Sequence, residues 1–204
     1  MNFVTVYLIK TGLVKNHFNE VLNYVEASRR DRALKYLKEE DKLRSLASSY
    51  LMKKYLGDVE IKENQNGKPY IEGGPFFNVS HSGECAVLAV HPSKEVGLDI
   101  ERIDPSRLNA IKFTLSEEEK KETEPDILFR MWSNKESLIK CIGSSMNDIK
   151  KVSGLPLSGG RIFNNKKYFT KSLQVKDYSL SISVDGGEDF NIGINEINKI
   201  DITN

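Results

Sequence analysis

Trp132-Ser133-Asn134-Lys135-Glu136-Ser137-Leu138-Ile139-Lys140 sets one large aromatic, a carboxylate and two lysines inside an otherwise apolar helical run. At helical spacing Trp132, Glu136 and Lys140 stack along one side, while Leu138, Ile139 and Ile142 turn toward a core. Taken alone, the Glu136–Lys140 spacing describes an exposed ion pair contributing about 0.2–0.5 kcal/mol. A second acidic stretch changes that reading. In Val96-Gly97-Leu98-Asp99-Ile100-Glu101 the apolar residues alternate with Gly97, Asp99 and Glu101, which predicts a strand burying Val96, Leu98 and Ile100 on one face. Asp99 and Glu101 then share the other face about 7 Å apart along the backbone, within reach of one hard cation. A surface strand with acidic decoration gives the same pattern.

Working outward, 204 residues suffice for a core without disulfides, and 39% hydrophobic with 29% charged residues is the balance of an ordinary soluble protein. Cys85 and Cys141 sit in apolar runs and read as reduced and buried, and no Cys/His metal spacing is present. No basic leader or membrane-length apolar run is found, so a cytoplasmic protein is expected. The net charge of +1 conceals an asymmetry: residues 1–56 hold 11 Lys and Arg against 6 Asp and Glu, and the remainder 19 against 23. An anionic ligand is therefore expected on the amino-terminal side, though no dense basic stripe argues for nucleic acid.

Phe3 to Ile9 reads as a strand. From Ser28, a plausible N-cap, apolar residues recur at helical spacing to Gly57, as one helix or two. Arg29, Arg30 and Arg32 crowd the start of that region, where the helix dipole disfavours cations, so either a bound anion or a solvated face accounts for them. Asn64 to Tyr70 is a turn, with Pro69 blocking continuation of a ladder. Phe76 to Val79 reads as a strand ending in a Ser80-His81-Ser82-Gly83 turn, followed by a strand over Cys85–Val90. Ser116 and Glu119 form a capping box, Pro125 opens the Trp132 helix and Gly143 closes it. Tyr178, Leu180, Ile182 and Val184 alternate with serines, and Asp185-Gly186-Gly187 turns the chain into a pairing strand carrying Phe190, Ile192 and Ile194. The order strand, helical region, paired strands thus occurs twice, which predicts an α+β fold of two similar halves, 1–94 and 95–204, with a cleft between them. No Gly-x-Ser-x-Gly elbow or Gly-x-x-x-x-Gly-Lys-[Ser/Thr] loop occurs, against a serine hydrolase and the commonest nucleoside-triphosphate enzymes.

Gly67-Lys68-Pro69, Ser80-His81-Ser82, Gly97-Leu98-Asp99-Ile100-Glu101 and Trp132-Ser133-Asn134-Lys135-Glu136, in this order along the chain, make it resemble a phosphopantetheinyl transferase of the larger, pseudo-dimeric kind that activates peptide and polyketide synthases. The resemblance implies two halves related by pseudo-two-fold symmetry, with coenzyme A nucleotide contacts in the first and the metal site and catalytic helix in the second. It implies transfer of the phosphopantetheine arm of coenzyme A, as substrate, to a serine of an apo acyl or peptidyl carrier protein, releasing adenosine 3',5'-bisphosphate. The alternative is a coenzyme A-binding regulatory homologue without turnover. By the same likeness Asp99, Glu101 and Glu136 hold Mg²⁺, with Mn²⁺ as a second option. Lys140 serves the pyrophosphate, Ser80 and His81 lie near the phosphates, and Lys68 and Pro69 lie beside the nucleotide. Arg29, Arg32 and Ser45 match positions that receive the 3'-phosphate. Glu136, directly or through a metal-bound water, is the candidate base, and Glu119 matches another acidic position of the family. A monomer is expected, with no nucleic-acid or membrane partner, and the carrier surface is expected between Phe113 and Pro125.

Overall fold

In a computed structural model that describes residues 2–202, the chain forms two four-stranded sheets, each covered by one long helix. Strand β1 (Phe3–Lys10) leads into short helices α1 (Thr11–Asn16) and α2 (Phe18–Tyr24), then α3 (Ala27–Leu34) and α4 (Glu39–Leu56). A ribbon of β2 (Lys62–Glu63) and β3 (Pro69–Tyr70) precedes β4 (Phe76–Ser82) and β5 (Cys85–His91). The second half runs through β6 (Val96–Arg102), α5 (Leu108–Lys112), α6 (Pro125–Ile142), β7 (Ser158–Phe163), β8 (Lys166–Val175) and β9 (Tyr178–Asp185), and the last strand is β10 (Asn191–Ile197).

The sheet orders are β10-β1-β5-β4 and β6-β9-β8-β7. Within them β1-β5-β4 and β6-β9-β8 are the same arrangement, antiparallel throughout, so the repeated order of elements corresponds to a repeated topology. The inner faces share one core, in which Val4, Val6, Val87 and Ala89 pack with Leu98, Ile100, Leu180 and Ile182. Helix α4 lies on the first sheet through Leu46, Ala47, Tyr50 and Leu51, and α6 lies on the second. Cys85 and Cys141 are buried free thiols, and burial pushes the Cys141 pKa up to about 12. Among the described residues no helix is long and apolar enough to cross a membrane.

Several expectations need correcting. The helical region is two helices, and α3 begins at Ala27 with Glu26 at its N-cap, so Ser28 lies inside the helix. Ser80, His81 and Ser82 belong to β4, paired with Val87, Ala86 and Cys85, and the turn itself is Gly83-Glu84. Pro69 does not end the pairing there; it faces Glu63 in the short ribbon. The strand carrying Ile192 and Ile194 does not pair with β9. It crosses back and runs parallel to β1, with Phe3 opposite Asn191, so residues 191–197 complete the sheet of the first half. Ser179, Ser181 and Ser183 of β9 have no exposed surface, because α6 lies over them. The β7–β8 hairpin carries no pattern that the sequence reading used.

The halves are stitched where two sheet edges meet. β4 and β6 are edge strands, and no backbone ladder joins them. The side chains of Asn78, Ser80 and Ser82 accept instead from the backbone N–H groups of Leu98 (2.9 Å), Ile100 (3.3 Å) and Arg102 (3.1 Å). Each would otherwise be an unpaired edge donor. Replacing Asn78 by the similarly shaped leucine leaves the Leu98 N–H without its acceptor, and the expected loss is about 1–3 kcal/mol. A fall in the denaturant midpoint at unchanged slope checks this, and an unshifted midpoint would show that the stitching carries no energy.

Candidate active site

Helix α6 sits unusually close to β6, and one residue makes that possible. A Cβ at Gly97 would lie 1.9 Å from the Ser137 carbonyl oxygen and 2.3 Å from the Cys141 amide, so only glycine fits. The contact brings the helix face bearing Glu136 and Lys140 over Asp99. Asp99 is 1% exposed, which removes the reading of a solvent-facing acidic strand. Its Oδ1 accepts from Ser80 Oγ at 3.0 Å and Lys140 Nζ at 2.6 Å, and its Oδ2 from Ser133 Oγ at 2.8 Å. Lys140 also lies 3.2 Å from Glu136 Oε2. Glu101 accepts from Ser82 Oγ at 2.8 Å and from Arg107 Nη1 at 2.6 Å.

These carboxylates line a cavity of about 310 Å³ together with Arg29, Arg32, Ser45, Pro69, Ser80, His81 and Lys140. Residues from both halves, far apart in the chain, therefore converge on one space. Lys68 does not join them: its ammonium pairs with Glu95, donates to the Cys141 carbonyl at 3.0 Å and borders neighbouring clefts. Trp132 packs against the cluster around Ile111 and Phe129. Glu119 is also elsewhere. It is 2% exposed, closes the capping box with Ser116, accepts from the Gly154 amide at 2.6 Å and pairs with Lys135 at 2.7 Å. Its acceptor capacity is used structurally, away from the cavity.

Other participants escaped the sequence reading. Ser48, Ser49 and Met52 join Ser45 on one stripe of α4 facing the cavity, a three-and-four spacing legible in hindsight. Tyr36 and Glu63 line it as well, and Glu63 lies 3.5 Å from Arg32. Lys135 is 1% exposed, and its position in the series Leu128, Met131, Lys135, Leu138 was the available signal that it faces inward.

Two family models match the chain: one described as the 4'-phosphopantetheinyl transferase superfamily over residues 95–194, and one as the N-terminal region of 4'-phosphopantetheinyl transferases over residues 14–93. The chain belongs to the 4'-phosphopantetheinyl transferase superfamily. Among similar proteins, a 4'-phosphopantetheinyl transferase of Aneurinibacillus migulanus is 31% identical over 146 residues, 63% of this chain and 60% of its own length. An L-aminoadipate-semialdehyde dehydrogenase-phosphopantetheinyl transferase of Xenopus laevis is 28% identical over 180 residues, 71% of this chain and 60% of its own. The Sfp transferase of Bacillus subtilis is 27% identical over 143 residues, 62% and 63%. The matches thus span about three fifths of these relatives' lengths.

The electrostatics of the site are those of crowded carboxylates. Burial, then the nearby charge of Asp99, push the Glu136 pKa from 4.5 to about 8, against the pull of Lys140. Burial opposes the Lys140 ammonium, but Asp99 and Glu136 outweigh it and raise its pKa. His81 is solvent-exposed at the rim; what enclosure it has, with the charges of Arg44 and Lys140, lowers its pKa from the usual histidine value. Oxygen donors facing one another, with the charges of Asp99 and Glu101 raising the proton affinity of Glu136, suit a hard divalent cation, which would relieve the repulsion. Their oxygens are not gathered on one point, since Lys140 and Arg107 hold them, and among the described residues no three such donors form a ready metal cluster.

A carboxyl with a raised folded pKa holds its proton more tightly when folded. Its contribution to stability is complete below the unfolded value near 4.5 and is lost as pH rises toward about 8. In chelator, Glu136→Gln is therefore expected to melt above wild type by a margin that widens from about pH 5 to about pH 8 and then levels off. A margin independent of pH would show that Glu136 is not protonated near neutrality.

Proposed function

We propose that the chain transfers the 4'-phosphopantetheine arm of coenzyme A to a serine hydroxyl of an apo acyl or peptidyl carrier protein, releasing adenosine 3',5'-bisphosphate. The observation that carries this reading is the single cavity lined by Arg29, Arg32 and Ser45 from one half and Asp99, Glu101, Glu136 and Lys140 from the other. A ligand with a phosphate at one end and a pyrophosphate in the middle matches that distribution. Arg29, Arg32 and Ser45 receive the 3'-phosphate through charge-assisted hydrogen bonds. Pro69 lies against the nucleotide, and His81 and Lys140 hold pyrophosphate oxygens.

Asp99, Glu101 and Glu136 would hold Mg²⁺, whose contribution when bound is to neutralise charge on the pyrophosphate. The carrier serine oxygen attacks the phosphorus that bears the pantetheine arm, and the bond to the departing adenosine 3',5'-bisphosphate breaks. Glu136, on the cavity wall, takes the serine proton. Lys140 keeps its proton throughout and offsets the charge of the leaving group. A cytoplasmic monomer is the simplest state for this reading.

Incubation with coenzyme A, Mg²⁺ and a panel of apo carrier proteins is expected to add one phosphopantetheine mass to at least one carrier; no gain on any would overturn the reading. Glu136→Gln is expected to lower kcat by about 10²–10⁴-fold with the fold retained. Arg29→Ala should chiefly raise the KM for coenzyme A, by about 10-fold. Equal damage to kcat and KM in both variants would mean the roles are misassigned.

A further inference from the structure

We infer that Ser133 is a positioning residue that sets which oxygen of Asp99 faces the cavity, an assignment that rests on the metal role proposed for Asp99. The two oxygens of that carboxylate have different surroundings. Oδ1 is held by Ser80 and Lys140, both of which line the cavity. Oδ2 is held by Ser133 Oγ at 2.8 Å, and Ser133 does not line the cavity. Ser133 has no exposed surface, so its hydroxyl reaches neither a phosphate nor a carrier. Among the described residues its hydroxyl bonds to Asp99 alone, through Oδ2 and, at 3.4 Å, the backbone carbonyl.

The hydroxyl fixes the plane of the carboxylate, and it does so from the helix that carries Glu136 one turn later. Together with the close approach at Gly97, it gives α6 two fixed points on β6 and sets the spacing between Asp99 and Glu136. Without it Oδ2 is left bare in a buried setting, the carboxylate turns to find a donor, and the ligand pair loses its alignment. Groups that orient metal ligands in this way typically change metal affinity by about 10–100-fold when removed.

The test compares Ser133→Ala, Ser133→Cys and Ser133→Thr with wild type, in the presence of coenzyme A. Mg²⁺ binding is read by titration calorimetry, and the Mg²⁺ dependence of phosphopantetheine transfer is read alongside melting temperature. For alanine the half-saturating Mg²⁺ is expected to rise about 10–100-fold, with kcat at saturating Mg²⁺ within a few-fold of wild type. Cysteine, similar in size but a weak donor, should resemble alanine, and threonine should restore binding. Alanine binding Mg²⁺ as wild type does, or an order of affinities that follows melting temperature and not the hydroxyl, overturns the assignment while leaving the transferase reading intact. Wild type that transfers without binding Mg²⁺ overturns the metal role and this assignment with it.

Discussion

Three hydrogen bonds donated by backbone N–H groups to side-chain oxygens hold the two halves in register: Leu98 to Asn78, Ile100 to Ser80 and Arg102 to Ser82. A backbone ladder between β4 and β6 would have merged the sheets. Side-chain acceptors keep the strands close while leaving room for chemistry between them. The hydroxyls of Ser80 and Ser82 also donate to Asp99 and Glu101, so the groups that join the halves orient the acidic side chains. Architecture and site share the same atoms, and a slip of one residue in this register would turn the hydroxyls away from the carboxylates.

The electrostatic consequence follows from burial. Asp99 is enclosed by Ser80, Ser133 and Lys140, and Glu136 lies beside it with a pKa near 8. Such an arrangement opposes stability unless cations or protons compensate, and Lys140 supplies part of that compensation. The cost is accepted at a place where negative charge can hold a cation, while the arginines of α3 line the same cavity and can hold an anion. Charges of both signs are thereby presented to one ligand.

Much of this was legible in the sequence, for identifiable reasons. Alternation in Val96–Glu101 and helical spacing around Glu136 are local signals, and both elements formed as read. The convergence of Arg29, Arg32 and Ser45 with Asp99 and Glu136 came from motif resemblance, since no periodicity encodes contacts across so long a stretch. What was missed depends on partners. The cover that small residues on α6 give to the alternating serines of β9 has no local signal, and Ser137 bonds directly to Ser183. The pairing of Lys135 with Glu119 went unread because neither announces the other across an intervening loop. Lys68 sits in a recognisable motif, yet Glu95 draws its ammonium aside.

The crossing of β10 to the far side of β1 has a bearing on biosynthesis. Phe3 must await Asn191, so one side of β1 lacks its neighbour until β10 has been made. Contacts of such separation slow folding, and a lone strand border is prone to promiscuous pairing in the interval. The closing strand thus acts as a latch: the sheet of the first half is finished only after that of the second has been made.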